Sequence, residues 1–220
     1  MKPCKYIDRT IGAGLFALAL AILAGCAGTV QPVETIGPND PAALNGIRNA
    51  YMKLAEQKSW RVKSTHVGEK KTTTTTISFA QPERLHMVSE EFEQIHIAGN
   101  AYMKSADGKW QKLPINMANL IEQYRKDPSL LESAVRGATV VGKETVEGKS
   151  MTVYRYYSSA KFAGGLASGG AWSKMWVDVA GLPRKVESES KGQVLGFSST
   201  SNTTSIYYDF GANIRINAPI

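Results

Sequence analysis

Cys26 is the residue of this chain whose surroundings most clearly favour a chemical modification. It follows Leu23-Ala24-Gly25 and ends an apolar run at residues 11–25, before which stand three basic residues and one acid. A basic segment, an apolar segment and small residues, in this order, are typical of a cleaved secretory signal. The run is shorter than the about 20 residues of a spanning helix. The sequence therefore predicts a secretory signal whose small residues run directly into a cysteine.

The segment Leu23–Cys26 resembles the lipobox of bacterial lipoproteins. The resemblance implies a diacylglycerol thioether on Cys26, cleavage before it and N-acylation, and several acyl chains hold a protein durably on a membrane. Residue 27 is alanine rather than aspartate. In the Gram-negative pattern this implies an outer-membrane lipoprotein anchored at the periplasmic face. The alternatives are a plain signal peptide with a chance cysteine and an uncleaved anchor.

The rest of the composition argues against several kinds of site. Loss of the leader removes Cys4 and leaves one cysteine, so neither an intramolecular disulfide nor a thiolate metal cluster is predicted. The histidines His66, His86 and His96 lack the spacing of metal ligands. Processing lowers the formal net charge from +7 to +5, and no segment resembles a nucleic-acid module. We predict no metal, no cofactor and no nucleic-acid partner.

Catalytic residues are not evident either. No serine lies in a nucleophile-elbow sequence, and the glycine-rich residues 164–170 lack the lysine of a phosphate-binding loop. Glu90, Glu91 and Glu93 are interpreted as a solvated turn cluster rather than an acid/base pair. The sequence therefore predicts a protein without enzymatic activity. A hydrolase is the least favoured hypothesis, after an acyl-chain-binding protein and a protein-interaction module.

The secondary-structure elements that position any site are predicted to begin after the signal peptide. Residues 1–25 are the predicted signal peptide, residues 26–39 the acylated cysteine with a flexible tether, and residues 40–220 one folded domain. Asp40-Pro41 suits a helix start, and apolar residues then recur at helical spacing. We predict a helix over 41–56.

Short alternating or β-branched runs predict strands, and two groups of apolar residues predict helices between them. The strands are predicted at 60–63, 72–79, 84–88, 94–97, 101–104, 138–146, 151–157, 171–179, 184–190, 199–210 and 213–216, and the helices near 117–124 and 128–135. Because helices and parallel strands do not alternate, the fold class is α+β: a large antiparallel sheet with helices packed on one face.

Several predicted strands carry apolar residues on both faces. One interpretation is that helices cover one face and long loops the other. The second is a curved sheet around an apolar cavity that accepts acyl chains. The candidate cavity residues are Leu85, Met87, Ile95, Ile97, Val153, Met175, Val177, Ile206 and Tyr208.

Four segments resemble the LolA/LolB-like and LppX/LprG-like group of bacterial envelope proteins: 81–85, 97–102 with 108–110, 176–187, and 207–210 with its tail. The resemblance implies an incomplete β-barrel with helices around a lipid-accommodating hollow, in a role in lipid or lipoprotein trafficking or envelope maintenance. Phe162 and Leu166 are the candidates for a membrane-contacting loop, and the alternative, a plain flexible turn in this glycine-rich segment, is favoured over it. The expected partners are the membrane, through Cys26, and an acyl-chain ligand. The alternative is an envelope protein-interaction module with a filled barrel.

Overall fold

The computed structural model describes residues 39–68, 71–105, 107–113, 135–162, 167–194 and 197–219. Within these ranges the chain forms one α-helix and eleven β-strands. Cys26, the tether before residue 39, the helix predicted near 117–124 and residues 128–134 of the helix predicted near 128–135 lie outside the described residues. In the part that is described, no helix is both long and apolar enough to cross a membrane.

The helix α1, Pro41–Glu56, confirms the prediction at both ends. Asp40 Oδ1 accepts a hydrogen bond from the Ala42 N–H at 2.8 Å. Pro41 occupies the first turn, where a missing N–H costs nothing. The buried stripe of α1 consists of small and aliphatic residues: Ala43, Ile47, Ala50 and Leu54.

All eleven strands form a single antiparallel sheet, in the order β6-β5-β4-β3-β2-β1-β11-β10-β9-β8-β7. The strands β6 and β7 are its two edges. Their bounds are β1 Ser59–Gly68, β2 Thr72–Ala80, β3 Arg84–Ser89, β4 Glu93–Ile97, β5 Asn100–Lys104, β6 Trp110–Leu113, β7 Val135–Val146, β8 Lys149–Phe162, β9 Ala167–Val177, β10 Pro183–Val194 and β11 Phe197–Tyr208.

The strand predictions are confirmed with three differences. The threonine tract forms β2, as its β-branched side chains indicate. β6 was not predicted, and Val135 opens β7 rather than ending a helix. Residues 213–216 form no strand. The large antiparallel sheet is therefore confirmed, and one covering helix is described.

Register defines the two faces of the sheet. Cross-strand partners point to the same side, and successive residues alternate. Val62 pairs with Ile77 and with Tyr207, and Ile77 pairs with Met87. These four side chains belong to one buried cluster with Ile47 of α1. We call the side that α1 covers the inner face and the opposite side the outer face.

The C-terminal segment lies against the outer face instead of extending the sheet. Ile216 is buried in a cluster with Ala80 and Ile95. The Gly211 N–H donates to the Ser59 carbonyl at 2.8 Å, and Arg84 Nη1 donates to the Ile216 carbonyl at 3.2 Å. The apolar residues near 214–216 thus serve as packing, although their alternation is that of a strand.

Gly46 allows α1 to approach the sheet closely. A Cβ atom at this position would lie 2.4 Å from Cζ of Tyr154. Gly46→Ala should therefore destabilise the fold by about 1–2 kcal/mol through overpacking, although alanine is the better helix former by about 1 kcal/mol. Urea unfolding measures the difference.

The control makes the same Gly46→Ala substitution in a chain whose Tyr154 ring has been removed by Tyr154→Ala. In a Tyr154→Ala background the steric conflict is absent, so Gly46→Ala should raise the free energy of unfolding. If Gly46→Ala destabilises both backgrounds equally, the close contact with Tyr154 is not the cause.

Candidate functional site

The nine predicted cavity residues do not share one face. Leu85, Met87, Met175 and Val177 lie on the inner face, in the cluster that packs against α1. The other five lie on the outer face. Ile95 and Ile97 pack with the C-terminal segment, Val153 packs with Met151 and Trp176, and Ile206 and Tyr208 flank the inner-facing Tyr207.

The sequence pattern grouped these nine residues because it shows alternation within a strand but not the register between strands, which decides the face of each residue. The inner-facing Leu85 pairs with His96, so the neighbouring Ile95 and Ile97 must point outward. A one-residue offset reverses a side chain's face, and alternation within a strand does not say which face is covered. Ile206 is accordingly 42% exposed.

The inner face has an apolar region beneath and beside α1. Trp60 stacks on Phe79, with ring centroids 5.4 Å apart, and lies against Tyr207 at 6.0 Å. The region continues through the buried Ile77 and Met175. The Trp60 indole N–H is buried and has no hydrogen-bond partner among the described residues. The region is therefore a packed apolar core that contains one buried donor without a partner among the described residues.

Beyond this region the inner face carries small hydroxyl side chains, which we call the hydroxyl strip. Three serine pairs bridge neighbouring strands at 2.8 Å between their Oγ atoms, and His66 Nδ1 lies 3.1 Å from Thr203 Oγ1. Small side chains leave room above a sheet, and their hydroxyls offer donors and acceptors. The pairs are Ser64–Ser205, Ser173–Ser188 and Ser190–Ser201.

A chain of hydroxyl groups connects the strip to α1. Tyr51 Oη of the helix lies 2.9 Å from Tyr156 Oη of β8. Ser173, the cross-strand partner of Tyr156 on β9, pairs with Ser188 on β10. The helix is thereby fixed to the sheet by polar contacts as well as by its apolar stripe.

The hydroxyl strip was not predicted, although the sequence of β10 carries a signal for it. In β10 serine alternates with charged residues, at Ser188 and Ser190, whereas β11 carries serine or threonine on both faces, at Ser201, Thr203 and Ser205 and also at Thr200 and Thr204. The alternation in β10 indicates one face of a strand. Rules that consider only apolar and catalytic residues do not detect such an alternation of hydroxyl side chains.

Burial shifts the pKa values of titratable side chains on the inner face in the direction that favours their uncharged forms. Burial raises the pKa of Tyr207, and the nearby Tyr156 adds to the effect. Burial also raises the pKa of Tyr156, against the opposing hydrogen bonds from Tyr51 and Ser173. Burial lowers the pKa of His66, which favours its neutral form at pH 7. The named polar groups of this face are therefore uncharged at neutral pH.

The raised tyrosine pKa values predict a loss of stability in alkali. Above about pH 10 an unfolded tyrosine ionises while the buried one remains protonated, so the free energy of unfolding should fall as pH rises. The slope reaches about 1.4 kcal/mol per pH unit for each such group. Tyr207→Phe should make the slope between pH 10 and 11.5 shallower. Ser205→Ala removes no titrating group and should leave it unchanged; equal slopes in all three proteins would contradict the prediction.

Two groups of residues singled out in the sequence remain: the acidic turn cluster and the candidate membrane-contacting loop. Glu91 pairs with Lys71, and Glu93 bridges His86 and Lys104 at 3.0 and 3.1 Å, so these two carboxylates form surface ion pairs. Leu166 and the side chain of Phe162 lie outside the described residues. Among the residues that are described, no three His, Cys, Asp or Glu side chains gather as a metal ion requires.

No protein-family model matches this chain, and no curated protein matches its sequence. Solved structures do match. LprF from Mycobacterium bovis is 13% identical with a TM-score of 0.55, over 83% of this chain and 99% of that one. The lipoprotein LppX from Mycobacterium tuberculosis is 13% identical with a TM-score of 0.56, over 81% of this chain and 100% of that one. At this identity the likeness concerns the fold alone, and it confirms the predicted half-barrel.

Proposed function

We propose that this chain is a membrane-anchored lipoprotein that binds the acyl chains of a lipid or of another lipoprotein on its inner face. The observation that carries the proposal is the inner face itself, where an apolar region adjoins an uncharged hydroxyl strip. A ligand with acyl chains and ester or hydroxyl groups needs both surfaces. The fold shared with a lipoprotein, LppX, supports the proposal.

The proposed binding mode assigns roles to particular side chains. Acyl chains insert between α1 and the sheet, against Met87, Met175 and Val177. These side chains are buried under α1 in the fold described, so the helix must separate from them to admit a ligand, and methionine then adapts to its irregular apolar shape. Carbonyl or hydroxyl groups of the ligand bind the hydroxyl strip. The protein carries out no reaction on the ligand and serves lipid or lipoprotein trafficking or envelope maintenance.

The proposed location follows from Cys26 and the segment before it. Acyl chains on Cys26 hold the domain at the periplasmic face of the outer membrane. The chain enters the fold at Asn39, which pairs with Ala138, and the Asp40 N–H donates to the Ala138 carbonyl at 2.9 Å. The anchor is therefore connected to the body at edge strand β7.

A matched pair of substitutions tests the proposed face. Ser205→Trp places a large ring on the inner face, while Ile206→Trp places the same ring one residue away on the outer face. The full-length chain, in a non-ionic detergent, is irradiated with a palmitoyl lipid that carries a diazirine on its acyl chain. We expect adducts on inner-face residues of the unmodified chain, reduced at least about tenfold by Ser205→Trp and unchanged by Ile206→Trp.

The opposite distribution of adducts would overturn the proposal. Labelling confined to the outer face, or equal labelling of both variants, places the acyl chain elsewhere. Absence of adducts, combined with a stoichiometric protein partner in crosslinked membranes, would favour the interaction-module alternative. The unfolding midpoints of both variants are compared with that of the unmodified chain, so that a loss of folding is recognised.

A further inference from the structure

The outer face carries a depression that the proposed function does not use. It has a volume of about 370 Å³ and crosses strands β8 to β11. This volume is within the range of small-molecule sites. The side chains that matter here are Arg155, Trp172, Lys174, Glu187, Glu189 and Asn202.

Charges in this depression are separated by strand. The cations Arg155 and Lys174 lie on β8 and β9, and the carboxylates Glu187 and Glu189 lie on β10. Two positive and two negative charges leave the depression neutral overall. A simple anion is attracted by one side and repelled by the other, and the same holds for a simple cation. The arrangement favours a ligand with both charges.

The depression stays open because its opposed charges are paired elsewhere. Lys174 and Glu187 are direct cross-strand partners, yet they do not bind each other. Lys174 Nζ binds Glu144 Oε1 at 2.7 Å, and Glu187 Oε1 binds Lys185 Nζ at 2.6 Å. Each partner draws its side chain away from the centre, so the space between β9 and β10 is not closed by an ion pair.

Two charges beside Trp172 have no ionic partner among the described residues. The Arg155 guanidinium lies over the Trp172 ring, 4.5 Å from its centroid. Glu189, on β10, is the direct cross-strand partner of Trp172 and is exposed. An unpaired guanidinium and an unpaired carboxylate thus flank one aromatic ring. Tyr157, tilted against Trp172 at 5.4 Å, supports the ring from β8.

We propose that this outer depression binds a small zwitterion with a phosphate and an ammonium group, the chemistry of phosphoethanolamine. The phosphate binds Arg155, because guanidinium donors suit phosphate oxygens and Lys174 is already paired with Glu144. The ammonium binds Glu189 beside the indole of Trp172, because Glu187 is already paired with Lys185. Arg155 on β8 and Glu189 on β10 lie two strand spacings, about 10 Å, apart; their long side chains and a short zwitterion bridge this gap together. The site lies on the opposite face from the proposed acyl-chain site and does not depend on it.

Calorimetric titration of the full-length chain in a non-ionic detergent tests the site, with O-phosphoethanolamine as the probe. We expect saturable binding that Arg155→Gln and Glu189→Gln each weaken at least about tenfold. The matched control is Lys191→Gln, which neutralises an exposed side chain on the same face of β10 and should leave the affinity within about twofold. Ethanolamine alone and inorganic phosphate alone should each bind at least about tenfold more weakly than the zwitterion.

Vesicles distinguish the two sources of this chemical group. If vesicles of phosphatidylethanolamine displace the probe and vesicles of phosphatidylglycerol do not, the site takes a lipid headgroup. If neither displaces it, the ligand is a soluble phosphoethanolamine compound, and the site stands. The proposal is overturned if the unmodified chain shows no saturable binding, or if Arg155→Gln and Glu189→Gln bind the probe as the unmodified chain does.

Discussion

Cys26→Ser should abolish acyl labelling of the chain completely and leave it at the mass of the uncleaved precursor. Serine retains the size of the side chain but lacks the thiol that forms the thioether. Because the lipobox resemblance places cleavage after acylation, one substitution should stop both steps. Growth with an alkyne-bearing palmitate, followed by purification and mass measurement, gives both results in one sample.

Cys4→Ser is the matched control for the anchor. It removes the other cysteine of the chain, which lies in the predicted leader. We expect full labelling and normal cleavage of this variant. Equal labelling of Cys26→Ser and the unmodified chain would refute the assignment of Cys26 as the attachment site. Loss of labelling in Cys4→Ser would show that the leader is retained and acylated.

Trp60→Ala should lower the free energy of unfolding by about 3–5 kcal/mol, the range for removing a buried tryptophan. The Trp60 side chain is 5% exposed and lies between Phe79 and Tyr207 on the inner face. Its loss leaves a cavity between two rings that the strands hold in place. Urea unfolding, followed by circular dichroism, measures the change.

Trp60→Phe separates packing from hydrogen bonding at the same position. The phenyl ring retains the stacking on Phe79, and the indole N–H that it removes has no partner among the described residues. We expect a cost below about 1.5 kcal/mol. A cost as large as that of Trp60→Ala would mean that the indole N–H makes a stabilising hydrogen bond, contrary to the geometry described above.

Local sequence signals predicted the elements whose causes are themselves local. The Asp40 cap and the proline after it set the start of α1. The β-branched Thr72–Thr76 favoured a strand over a linker, and they lie in β2. Both depend on a side chain's effect on its own backbone, which a single sequence contains.

The face of each strand could not be predicted in the same way. Ile95 and Leu85 alternate with polar neighbours in the same manner, yet they point to opposite sides of the sheet because β3 and β4 pair in a fixed register. Ile214 and Ile216 alternate as in a strand but pack as an irregular segment on the outer face. Register and packing are tertiary properties, and they decide which apolar residues can meet one ligand.

The central claim is that the inner face holds acyl chains in addition to those attached at Cys26. The most direct measurement is native mass spectrometry of the full-length chain purified from its membranes, before and after extraction with organic solvent. We predict a further mass, lost on extraction and identified as an acyl lipid or a lipoprotein acyl group, beside the covalently acylated chain. A chain that carries only its covalent acyl groups, and takes up no acyl lipid when supplied with it, would contradict the claim.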